Sequence, residues 1–312
     1  MNKIYIYSIF IFTILLSCNK QPVIDESTMM DGDSINEPSI ANPEKYLVSA
    51  EFQSPTINQL SKPVLIAVHG YSASTWEFDE LRHWADSVGY FYVSQVLLGG
   101  HGRDYASFKK ASWTDWQKPI IDEYRKLDSL GYKNICLIGA STGCPLIVNM
   151  LYEGKIKNYR SPKHVYLIDP IIIPSSKLLS IVDIVGPGIG YVETNLDPGE
   201  KGHYYQYRPQ ESLNQLLDII TLVRKKLEDG ITLPSGTDLT VYKSKKDGSA
   251  DPVSALVLYK GIKQANGEHI FVEMINSNLH VFTRLQGRKT VRIKDRENQI
   301  KVFNEITVSL MN

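Results

Sequence analysis

An excess of charge is missing from this sequence. Lys plus Arg and Asp plus Glu each number 34 in 312 residues, so the cationic surplus that phosphate-backbone binding demands is absent and nucleic acid is not an expected partner. Cysteine is scarce as well. Only Cys18, Cys136 and Cys144 occur, and no metal-type Cys/His spacing appears. A phosphate cradle is also lacking, because Gly99-Gly100-His101-Gly102 has neither the lysine of a P-loop nor the spacing of a dinucleotide fingerprint, and reads as a tight loop. There is no internal repeat. The apolar run over residues 4–16, broken only by Ser8 and Thr13, is too short to span a bilayer comfortably.

What the N-terminus has instead is Lys3 followed by that apolar run, the pattern of a signal peptide over residues 1–17. Its end, Leu15-Leu16-Ser17-Cys18, resembles the lipobox of bacterial lipoproteins, which implies that Cys18 becomes a lipidated mature N-terminus. The alternative is an uncleaved anchor with an incidental cysteine. Either places the protein in the cell envelope, exported and membrane-anchored. Residues 18–43 are polar and rich in Asp and Glu, as in a solvated tether. Cys136 and Cys144 read as small buried apolar residues, with a disulfide in the exported protein as the alternative.

With 43% hydrophobic and 22% charged residues, residues 44–312 can bury the core of one domain. Apolar runs at 64–68, 135–138 and 165–168, and a run at 91–98 broken by Ser94 and Gln95, predict strands, the continuous ones buried on both faces. They alternate with amphipathic stretches at 76–88, 113–130 and 145–152. This rhythm predicts an α/β fold, a doubly wound and mostly parallel sheet. It is lost at about 171–234, where the Gly/Pro-rich piece 186–190 and a helical stretch at 213–227 predict a small inserted helical cap. It resumes with strands at 239–242 and 270–275 and helices at 253–262 and 296–310.

Gly139-Ala140-Ser141-Thr142-Gly143 matches a nucleophile elbow, in which flanking glycines let a serine sit on a sharp strand-to-helix turn. Its three fixed positions recur by chance in roughly one chain in ten of this length, but a predicted strand runs into it and a helix follows. A serine hydroxyl needs a base to take its proton. Of seven histidines, His280 lies in the loop after the last strand and before the final helix, where the order Ser, Asp, His puts the base. The acid belongs in the loop after the strand at 239–242, where Asp247 is favoured. The alternative, Asp251, stands before Pro252 like a helix cap.

Two backbone N–H groups should form an oxyanion hole, Thr142 after the elbow and Tyr71 in the loop His69-Gly70-Tyr71; one such donor is worth about 2.7–4 kcal/mol. His69 reads as structural. Trp113 and Trp116 read as core, with an acyl-binding wall as the alternative. Lys243, Lys245 and Lys246 read as a solvated loop face.

Together, Val68-His69-Gly70-Tyr71, Leu98-Gly99-Gly100-His101-Gly102, the elbow around Ser141, and Asp247 to Pro252 with Ser277 to His280 resemble the monoacylglycerol lipase and bacterial carboxylesterase branch of the α/β hydrolases. The resemblance implies a hydrolase without a cofactor or metal, with Ser141, Asp247 and His280 as a triad and a cap shaping the pocket. Members usually carry proline where Gly99 stands. The expected activity is cleavage of small or lipid-like carboxylic esters, acylglycerols among them, through an acyl-enzyme. Amide or peptide hydrolysis, or a non-catalytic binding lipoprotein, are the alternatives.

Overall fold

Alternation of buried side chains along each strand builds two core layers, one on either side of a sheet. Ile66, Val68, Leu137, Leu167 and Val241 pack into one layer, and their neighbours Leu65, Ala67, Ile138, Ile168 and Tyr242 into the other, as a period of two requires. The computed structural model describes residues 22–23, 38–175 and 190–311. The expected signal peptide, Cys18, most of the tether and most of the 186–190 piece lie outside the described residues.

In chain order the strands are β1 (Val64–Val68), β2 (Tyr92–Val96), β3 (Ile135–Ala140), β4 (His164–Ile168), β5 (Tyr191–Glu193), β6 (Tyr207–Pro209), β7 (Ile231–Thr232), β8 (Asp238–Ser244), β9 (Ile262–Lys263) and β10 (Phe271–Ile275). Six of them form the parallel sheet β10-β8-β4-β3-β1-β2. The chain goes from β1 outward to β2, then returns to the other side of β1 for β3 and continues to β4. That reversal between β1 and β3 opens a crevice at the carboxyl ends of the strands, where ligands bind in open α/β sheets. Register aligns those ends: Val68 pairs with Gly139, Ala140 with Ile168, Ile168 with Tyr242 and Ser244 with Ile275.

Several expectations need correction. Pro38–Ala41 is a short helix with Ser39 and Ile40 fully buried, so the domain starts before the expected tether boundary at residue 43; a buried Ile cannot belong to a solvated tether. The stretch at 76–88 divides into a 3-10 turn, Thr75–Phe78, and a helix, Asp79–Val88, that stops at left-handed Gly89. The helix expected inside the cap runs over Gln210–Asp229. It buries Leu216, Ile219, Ile220, Val223 and Leu227 in the main core and packs on the helices Gly143–Tyr152 and Val253–Gly261. It therefore serves largely as the crossover that a parallel β4–β8 pair requires, and the cap proper is smaller than 171–234. Cys136 and Cys144 are free and buried on opposite layers. Among the described residues no helix is long and apolar enough to cross a membrane.

Candidate active site

At the end of β3 the chain turns so sharply that Ser141 adopts φ +50°, a conformation costing a non-glycine residue roughly 1–2 kcal/mol. The surroundings hold it there. Ser141 N–H donates to Ile168 C=O (3.0 Å) and its carbonyl accepts from Cys144 N–H (3.2 Å). Gly143 lets the following helix approach β1, since a Cβ on it would lie 2.2 Å from Val68 O. Ser141 Oγ thereby faces the crevice, 2.8 Å from His280 Nε2.

His280 Nδ1 lies 2.7 Å from Asp247 Oδ2. With the Nδ1–H tautomer, the ring donates to Asp247 and accepts from the Ser141 hydroxyl. The loop that carries His280 is held on both sides. Arg288 Nη2 donates to the His280 carbonyl (2.5 Å) and Phe282 N–H donates to Asp169 Oδ2 (3.1 Å), while Val281 between them is held at φ +52°, a rare state for a β-branched residue. Asp247 is fixed by Ser249 and Ala250 N–H groups donating to Oδ1 at 2.8 and 3.1 Å. Asp251 does not join this cluster. Its Oδ1 accepts from Val253 N–H (2.8 Å) at the start of the helix Val253–Gly261.

Lys243 overturns its reading as part of a solvated loop face. Lys245 and Lys246 are exposed, but Lys243 is fully buried at the end of β8. Its ammonium donates to Asp247 Oδ2 and lies 3.6 Å from Asp169 Oδ1. Asp169, fully buried after β4, also accepts from Ser244 N–H (2.7 Å) and Oγ (3.1 Å). Burial pushes the Asp169 carboxyl up from its ordinary range against the pull of Lys243. For Asp247 burial pushes the same way, but His280 and Lys243 outweigh it and hold that carboxyl well below the usual carboxylate range. Asp169, Asp247 and His280 stand close enough to share a metal, with donor atoms within 4.8 Å of one another. The ammonium bonded there already supplies a cation. Sequence periodicity gave no sign of this network, because a lysine at a strand end looks the same whether it faces water or carboxylates.

Gly70 brings the loop after β1 against the elbow; a Cβ on it would lie 3.1 Å from Ser141 Cβ. Its N–H donates to Glu77 Oε2 (2.7 Å). Among the described residues the Tyr71 and Thr142 amides donate to no protein acceptor, and both residues line the cavity with Ser141 and His280. His69 is buried, its Nδ1 2.8 Å from Gly70 O and its Nε2 accepting from Leu98 N–H (3.1 Å). Burial pulls its pKa to about 4, so it pins two loops as a neutral ring. His101 packs edge-on to Phe108 and Trp116. Trp116 is fully buried and Trp113 packs against the same core; neither lines the cavity at Ser141.

That cavity holds about 210 Å³ and adjoins one of about 530 Å³ also lined by His280, Ser249 and Arg208. Ile171, Leu196 and Leu216 supply apolar wall, but Glu77, Glu200, Arg208, Arg284 and Arg288 line it too. None of these charges was singled out in the sequence, since they come from four separate segments.

No protein-family model matches the chain, and no curated protein does either. Solved structures do. A structure from the LipS and LipT pair of metagenome-derived lipolytic enzymes is 18% identical over 80% of this chain and 93% of that one, with a TM-score of 0.62. The monoacylglycerol lipase of Paleococcus ferrophilus is 14% identical over 80% and 96%, with a TM-score of 0.55. A soluble variant of the monoglyceride lipase of Saccharomyces cerevisiae, in complex with a substrate analog, is 13% identical over 82% and 89%, with a TM-score of 0.57. Likeness at such identities speaks for backbone architecture, and with the parallel sheet and elbow described above it establishes that this chain has the α/β-hydrolase fold.

Proposed function

We propose that this protein is a serine hydrolase that cleaves carboxylic esters through an acyl-enzyme on Ser141. The observation that carries the reading is the unbroken relay of hydrogen bonds from Ser141 Oγ to His280 (2.8 Å) and from His280 to Asp247 (2.7 Å), mounted on a strained elbow that opens into a cavity. As the Ser141 oxygen attacks the ester carbonyl, its proton passes to His280 Nε2. The imidazolium that forms is held by Asp247, and the developing oxyanion faces the Tyr71 and Thr142 amides. His280 then protonates the departing alcohol, and in the second half-reaction takes a proton from the water that releases the acid. The lipolytic and monoacylglycerol-cleaving names of the solved structures it is similar to favour lipid-like esters within this class.

The test is hydrolysis of a p-nitrophenyl ester chain-length series, beside Ser141→Ala and a fluorophosphonate label. The expected outcome is a burst and steady turnover, lost by a factor of about 10⁴ or more in the variant, with the label on Ser141. Absence of both turnover and label in the wild type sinks the reading.

On the lipobox resemblance, the proposal extends to export and anchoring through a diacylglycerol on Cys18. Cys18→Ala should then lose incorporation of labelled palmitate; incorporation at the wild-type level refutes the anchor.

A further inference from the structure

For a neutral acyl chain the wall beside Ser141 should be mostly apolar, with few polar groups, yet three guanidiniums line it. Their partners differ. Arg284 pairs with Glu200 (2.6 Å) and lies against the Trp76 and Tyr204 rings. Arg288 is spent on main-chain carbonyls, donating to those of Arg284 (2.7 Å), His280 and Val281. The carboxylates are engaged as well. Glu77 accepts from Gly70 N–H (2.7 Å) and the Tyr204 hydroxyl (2.9 Å), and exposed Glu193, in the adjoining cavity, accepts from Gln206 (2.9 Å).

Arg208 is the exception. It is half-buried on β6, where pairing with Val192 of β5 fixes its backbone. Its guanidinium lies 5.7 Å from the centre of the Tyr71 ring. Its Nε is buried without a hydrogen-bond partner, as is that of Arg284, but among the described residues no carboxylate stands within ion-pair distance of Arg208: Glu200, already paired with Arg284, acts on it only through space. Burial pulls its pKa below the usual arginine value, but a guanidinium stays protonated at neutral pH. A desolvated cation with an orphaned donor is unfavourable in the free protein, and a fork of N–H donors matches a carboxylate or phosphate. Arg208 lines both the cavity at Ser141 and its neighbour, with His280 on the shared wall. An ester positioned for attack by Ser141 can extend an end toward it. Tyr71 links the two places, its amide facing the oxyanion position and its ring lying beneath the guanidinium.

We propose that Arg208 is an anion subsite, and that the ester this protein cleaves carries an oxyanionic group, carboxylate or phosphate, on the part directed toward β5 and β6. The proposal rests on the reading of Ser141 as nucleophile.

The experiment compares kcat/KM for monomethyl glutarate with methyl 5-oxohexanoate, its neutral methyl-ketone analogue, and for butyryl-glycerol phosphate with monobutyrin. Each pair is run with wild type, Arg208→Gln and Arg208→Lys. The expected result is an anionic-to-neutral ratio of about tenfold or more in one pair, collapsing toward one in Arg208→Gln and partly kept in Arg208→Lys. The pair with the larger ratio tells carboxylate from phosphate. A wild-type ratio near one in both pairs, or a ratio that Arg208→Gln leaves unchanged, overturns the proposal. Calorimetric titration of the Ser141→Ala protein with the same compounds reads the subsite without turnover. Preferential binding of an anion, lost when Arg208→Gln is added, supports the subsite even if no ester is hydrolysed and the esterase reading falls. Equal binding of anionic and neutral compounds overturns the subsite whatever the fate of that reading.

Discussion

Beneath His280, Asp169 and Asp247 share the single ammonium of Lys243. Two carboxyl groups against one ammonium bias this buried cluster toward negative charge, which the His280 imidazolium of the proposed reaction would offset. Removing one member of a buried ionic group leaves its partner uncompensated, at about 3–5 kcal/mol. Lys243→Met should cost that much in urea unfolding, and Lys243→Met with Asp169→Asn should cost clearly less than the two single losses added together. A strictly additive cycle means the two groups do not compensate each other. For the acid itself, Asp247→Asn should lower kcat by about 10⁴ by disfavouring the required His280 tautomer, while Asp251→Asn, which disturbs only a helix start, should stay within about tenfold. Equal losses would remove Asp247 from its assigned role. That Ser141, Asp247 and His280 come together was legible in the sequence because motif and chain order point to them; the placement of Lys243, Asp169 and Arg208 was not, since it depends on what faces them.

Pro119 lies inside the helix Trp113–Leu130 and has no N–H for the carbonyl four residues before it, that of Asp115. Gly99 packs against that carbonyl; a Cβ on it would lie 2.3 Å from Asp115 O. Any side chain at position 99 therefore meets a backbone atom at sub-van-der-Waals distance. Gly99→Ala and Gly99→Pro should each destabilise by about 1–3 kcal/mol or more, read as a lower thermal midpoint. Unchanged stability in both would mean the helix yields there. The main strands and long helices were legible from their apolar periodicity. Short elements such as Tyr105–Lys110 were not, because six residues hold less than two helical turns and a period needs more.

The domain as a whole is closed by a segment that composition assigned to the tether. Ile40 is fully buried, Arg103 Nη1 donates to its carbonyl (2.9 Å) and Thr75 Oγ1 to that of Ser39 (3.1 Å). A chain beginning at Glu44 should melt roughly 3–10 °C below one beginning at Pro38, since burying one such side chain is worth about 1.5–3 kcal/mol. Equal midpoints would return residues 38–43 to the tether. The sequence by itself determined the layered α/β architecture, the elbow and the order of its partners, because strand and helix periods, glycine spacing and chain order are local or ordinal properties. Only the tertiary structure decided that Lys243 is buried between carboxylates, that Gly99 packs against the Asp115 carbonyl, and that Arg208 lines the cavity with no ion pair among the described residues, because burial and charge pairing depend on side chains from distant segments meeting in space.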